Sequence, residues 1–110
     1  MKHLLFAVFE NTKYTPDIIH ELAKNGINGT VLASTSLKHF LSDIEDNEIN
    51  FMTLRHLEKI NFEDNTTFYA LLEEEQIALA TTIIRNKSEK FTKVRGGMFV
   101  VPVEQYEGSF

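Results

Sequence analysis

His3-Leu4-Leu5-Phe6-Ala7-Val8-Phe9 is apolar at every position after its histidine, mixes aromatic and β-branched residues, and stops at Glu10. The run is too short to cross a bilayer or to form a signal-peptide core, and Glu10 closes it without a small-residue cleavage pattern. A continuous apolar segment of this kind suits a strand buried on both faces better than one with a wet side. Its counterpart at the other end of the chain is Met98-Phe99-Val100-Val101-Pro102-Val103. Pro102 has no N–H to give to a ladder, so this last strand belongs at a sheet edge or a bulge.

Moving inward, Thr15-Pro16-Asp17 reads as a helix start: Thr15 as cap, Pro16 at the first helical position and Asp17 at the positive end of the dipole. Ile19, Leu22 and Ala23 follow at helical spacing, and Gly26 closes a helix spanning Pro16 to Asn25. Gly29-Thr30-Val31-Leu32-Ala33 has the β-branched content of a second strand, and Thr66 to Leu72 that of a third. Glu73-Glu74-Glu75 places carboxylates where a second helix begins. Ile77, Ala80, Thr81 and Ile84 continue it on one face, and it ends near Asn86 with Arg85 and Lys87 in the last turn.

The order βαββαβ is the split βαβ, or ferredoxin-like, pattern of the α+β class, in which two helices cover one face of a four-stranded antiparallel sheet. The stretch from Leu37 to Asp64, between strands two and three, is expected to form a long elaborated loop. Leu37, Phe40, Leu41 and Ile44 within it lie at helical spacing, and Leu54, Leu57 and Ile60 fit either a short helix or an irregular strand. Two helices cover only one side of the sheet, while strands one and four are apolar on both. Burial of the second face against further copies of the same chain is the economical solution, so an oligomer is expected.

Composition narrows the function. The 110 residues suit a single domain over 1–110, and 43% hydrophobic with 25% charged residues is an ordinary globular composition. Cysteine is absent, which removes disulfides, thiolate metal sites and cysteine nucleophiles. A net charge of -5 opposes binding to a phosphate backbone, so DNA is not an expected partner. No membrane anchor or export signal is read, and the expected setting is cytoplasmic. The glycosylation patterns at Asn28, Asn65 and Asn86 carry no weight in that setting.

Asn65-Thr66-Thr67-Phe68, Gly96-Gly97 and Pro102-Val103-Glu104-Gln105-Tyr106 together resemble the PII-like signal-transduction proteins, closest to the branch of cyclic di-AMP receptors. The likeness covers Met1 to Thr35 and Asn65 to Tyr106. It implies a homotrimer with sheets facing inward and small-ligand pockets, of nucleotide type, between neighbouring subunits. It further implies that Thr30, Ser34, Thr35, Asn65 and Gln105 bond a base or ribose and that Gly96 and Gly97 let the backbone approach the ligand. Lys87, Lys90, Lys93 and Arg95 fall where relatives contact phosphates; a solvated basic loop is the plainer reading of the same residues. An unidentified protein partner would read the ligand through the segment from Leu37 to Asp64. The glycine-rich stretch that follows strand two in the cyclic di-AMP receptors is replaced here by Ser34-Thr35-Ser36-Leu37, and an arginine of that strand by Asn28. None of Tyr14, Tyr69 and Tyr106 falls in the long segment where nitrogen-regulatory members carry a modifiable tyrosine.

No cofactor and no metal are expected. The acidic segment Asp43 to Glu48 lacks the glycine and the final glutamate of a calcium loop, Leu54 standing at the last position. His3, His20, His39 and His56 lack the short pairings of zinc motifs. Two other classes stay open. One is a ferredoxin-like oligomer acting as a divalent-cation tolerance protein, with His39 or His56, or as a diffuse-site enzyme with Glu104 or His56 as base. The other is a ligand-free scaffold that recruits a protein.

Overall fold

The computed structural model describes residues 1–46 and 64–110. Strand β1 (His3–Glu10) leads into helix α1 (Thr15–Lys24), strand β2 (Thr30–Ser34) and helix α2 (Leu37–Asp46). Strand β3 (Asn65–Leu72), helix α3 (Glu74–Lys87) and strand β4 (Gly96–Pro102) complete the elements of the described residues. The four strands form one antiparallel sheet in the order β2-β3-β1-β4, a ferredoxin-like arrangement. β4 is an edge strand, which is where Pro102 is tolerated.

β1 sets the layering. Leu5, Ala7 and Phe9 are completely buried, whereas Leu4, Phe6 and Val8 on the opposite side are only partly covered. The expectation of a strand buried on both faces therefore holds for one face within the single chain. The buried side meets Ile18 and Leu22 of α1, Ala80, Ile83 and Ile84 of α3, and Phe68, Ala70 and Leu72 of β3 in one core. Ala23, placed on the buried side by its spacing, is exposed, and Ile18 takes that role.

Local chemistry explains the element ends. Thr15 lies inside α1 rather than capping it, because its hydroxyl donates to the Glu10 carbonyl at 2.6 Å and accepts from the Thr12 N–H at 3.0 Å. Gly26, at φ 78°, closes the helix as anticipated. α3 begins with Gln76 Oε1 accepting the Glu73 N–H at 3.3 Å, half of a reciprocal cap. The larger correction concerns the expected long loop: Leu37–Asp46 is an α-helix. Its apolar residues recur at the i, i+3, i+4, i+7 spacing of one helical stripe, and Ser36 Oγ accepts the His39 N–H at 3.1 Å at its start. The readings placed on Leu54, His56, Leu57 and Ile60 lie outside the described residues. No helix among the described residues is long and apolar enough to cross a membrane.

Between α3 and β4 the chain turns through Glu89, Lys90 and Phe91, all with positive φ (52°, 57° and 61°). Side chains there cost roughly 1–2 kcal/mol per residue in backbone strain. Ser88 offsets this from a fully buried position: its hydroxyl donates to the Ile84 carbonyl at 2.6 Å and accepts the Phe91 N–H at 3.0 Å. Phe91 in turn stacks on Phe9, with ring centroids 6.4 Å apart. Ser88→Ala removes the acceptor for the Phe91 N–H, and a loss of about 1–3 kcal/mol in urea unfolding is expected.

Candidate functional site

The face of the sheet away from α1 and α3 is the feature around which a site can be built. Register places its side chains in rows. Ser34, Asn65 and Glu10 form the row at one end, followed by Leu32, Thr67, Val8 and Gly97. Thr30, Tyr69, Phe6 and Phe99 come next, and Leu71, Leu4 and Val101 stand at the far end. Beyond Glu10 none of these residues is charged. Phe6 and Phe99 stack with centroids 5.0 Å apart, yet Phe99 is 54% exposed and Leu32 48% exposed. An apolar surface of this extent, uncharged in its interior, has the composition of the middle of an interface.

The residues expected to hold a ligand divide between the two ends of this face. Ser34 and Asn65 are directly opposite each other, and Thr35 follows at the end of β2. The hydroxyl of Ser34 is 2.8 Å from that of Thr67, a residue that sequence reasoning missed and that the two-residue period of β3 would have placed on the same face as Asn65. Thr30 lies opposite Tyr69, four residues farther along β2. Gln105 belongs to the tail beyond β4, which is pinned where the Val103 N–H donates to the Lys2 carbonyl at 3.0 Å. It lies beside Leu4 and Leu71 at the opposite end. Asn65 and Leu71 are six residues apart, about 20 Å of extended strand, so one chain does not join Gln105 to Ser34 and Asn65.

Gly96 and Gly97 are strand residues with different constraints. Gly96, at φ 151°, faces the helix side, where a Cβ would collide with the carbonyl of Val8. Its glycine is required by β1–β4 packing. Gly97 lies on the open face opposite Val8, and a Cβ there would meet nothing. Only Gly97 keeps space for an incoming group.

The basic segment is also divided. The ammonium of Lys93 sits 4.2 Å above the Tyr14 ring, a cation–π contact that engages it within the fold. Lys87, Lys90 and Arg95 are exposed. Every backbone N–H from Ser88 to Lys93 is bonded inside the turn, so no cradle of free N–H groups exists there and a phosphate would meet side chains alone. The Arg95 carbonyl accepts the Glu10 N–H at 2.8 Å, which sets Arg95 at the same end of the sheet as Ser34 and Asn65. Among the described residues no group of three metal-capable side chains comes together; His20 lies on α1 and His39 on α2.

Gly96→Ala is expected to lower the thermal midpoint by about 5–15 °C, equivalent to roughly 1–3 kcal/mol for a domain of this size. Gly97→Ala should leave it within about 0.5 kcal/mol of the parent, so any loss of ligand response in that variant reports on the open face alone.

Comparison with protein families finds no matching family model, and no curated protein matches the chain. Among solved structures the chain is similar to that described as the crystal structure of a functionally unknown protein from Pediococcus pentosaceus ATCC 25745. The two superpose with a TM-score of 0.57 at 19% identity, over 97% of this chain and 96% of the other. At that identity the likeness concerns the fold, which the two chains share over nearly their full lengths.

Proposed function

We propose that this chain is a PII-like sensor: a homotrimer that binds a small ligand, of the adenine-nucleotide class, between subunits and signals its occupancy to a protein partner. The observation that carries the reading is the open sheet face, whose apolar rows offer a surface for self-association. One end of that face holds the hydroxyl and amide groups of Ser34, Asn65 and Thr67. These groups supply the donors and acceptors that a base or ribose needs, and Gly97, on the far side of β1 from them, leaves open space on the same face. Gln105 of one subunit would complete the site of the next, since within one chain it lies at the far end of the sheet. Ligand occupancy would act through α2, which leaves β2 directly beside Ser34 and Thr35. A ligand shifts that helix only by binding one of its arrangements more tightly than another.

The test is thermal unfolding with ATP, ADP, AMP, cyclic di-AMP and cyclic di-GMP on protein sized by light scattering. A nucleotide present at 100 times its Kd is expected to stabilise the native state by about 2.7 kcal/mol. A confirmed trimer that responds to none of the five would end the nucleotide reading and favour the scaffold. Phe99→Asp puts a charge in the middle of the open face at a position that is half exposed in the single chain. It should convert the trimer to monomers while the far-ultraviolet circular dichroism of the fold persists; a trimer unchanged by it would place the interface elsewhere.

A further inference from the structure

The tail beyond β4 does more than leave the sheet. After the Val103 N–H anchors it to Lys2, it runs beside the far end of the open face and borders, with that face, an open-mouthed cavity of about 460 Å³. The floor is Leu4, Phe6, Tyr69 and Leu71, and Tyr106 and Phe110 rise on the tail side. No charged residue lines it. Its surface is almost wholly apolar, and Gln105, Tyr69 and Tyr106 are the lining residues that carry a polar side-chain group.

The volume falls inside the usual range of small-molecule sites, about 300–1,000 Å³. Covering so apolar a lining with an apolar molecule is favourable, because water against it gains little from the protein. Water there is readily displaced by carbon. Aromatic rings on floor and wall favour a flat partner through offset stacking, and the stack of Phe6 on Phe99 holds the floor ring in place. The absence of a cation argues against an anionic ligand, which would lose hydration without compensation.

We infer that this cavity is a binding site for a neutral, planar aromatic small molecule, oriented by one hydrogen bond to the Gln105 amide. Its nearest floor residue, Tyr69, is four residues along β3 from Asn65, roughly 13 Å of extended strand, so it is a second site on the same face; it shares Gln105 and the apolar rows with the trimer reading, and sizing the same samples separates the two.

The probe is the neutral dye N-phenyl-1-naphthylamine, titrated by fluorescence into the full chain, with light scattering on the same samples. Saturable enhancement at one dye per chain is expected, with shifts of the Leu4 and Leu71 methyl resonances in the unaltered protein. Leu71→Trp, which fills the floor, and the double change Tyr106→Ala with Phe110→Ala, which removes the wall, should each weaken binding at least about tenfold. The anionic analogue 8-anilino-1-naphthalenesulfonate should bind more weakly than the neutral dye. Absence of saturable enhancement, or methyl shifts confined to other residues, would overturn the inference. So would enhancement that disappears as the chain self-associates, because a neighbouring copy would then be the occupant.

Discussion

The placement of β1 between β3 and β4 is the constraint from which the rest of the molecule follows. Its eight residues pair along their whole length with β3, and all but Glu10 pair with β4, so the strand has no free edge and its register is doubly fixed. Burying Leu5 and Phe9 completely contributes about 2–3 kcal/mol for each side chain. That burial holds only while α1 and α3 stay on their side of the sheet. The same alternation delivers Leu4, Phe6 and Val8 to the other side, away from α1 and α3. A one-residue slip would exchange the two sets, exposing Phe9 and driving Phe6 beneath the helices.

The element order and the α+β class were legible because each regular element carries its own period. α1 and α3 show helical spacing and β3 is β-branched and aromatic. What the sequence hid depended on competition between local and distant partners. Thr15 looks like a cap until the Glu10 carbonyl claims its hydroxyl, and Ala23 looks buried until Ile18 proves to face the sheet. Leu37 to Ile44 has the spacing of a helix, but acidic residues crowd its C-terminal end, where the macrodipole opposes them, and the signal reads weakly. β1 and β4 read as doubly buried because a strand that is apolar at every position does not disclose which side its own chain covers.

Site residues were less legible than the fold for a geometric reason. Ser34 meets Thr67 and faces Asn65 only through the pairing of β2 with β3, strands separated in sequence by α2 and the residues that follow it. Sequence can nominate such residues one at a time, but register decides which share a row. Register gathered Ser34, Thr35 and Asn65, set Thr30 among aromatic neighbours, and sent Gln105 to the opposite end. It also separated the roles of adjacent glycines, and the cation–π contact with Tyr14 gave Lys93 a task inside the fold.

The collision that a side chain at position 96 would make with the Val8 carbonyl bears on how the sheet is assembled. β4 joins β1 across nearly the whole length of the chain, so their pairing closes a large loop and is exposed to misalignment while it forms. Sliding β4 by two residues in either direction keeps its faces correct but sets Val94 or Met98 at the contact now held by Gly96. Each brings a Cβ, which the backbone as it stands at that contact, with φ 151°, does not accommodate. The bare Cα thus acts as a notch that favours the observed alignment over its neighbours, and a missing side chain helps to set the register of the last strand.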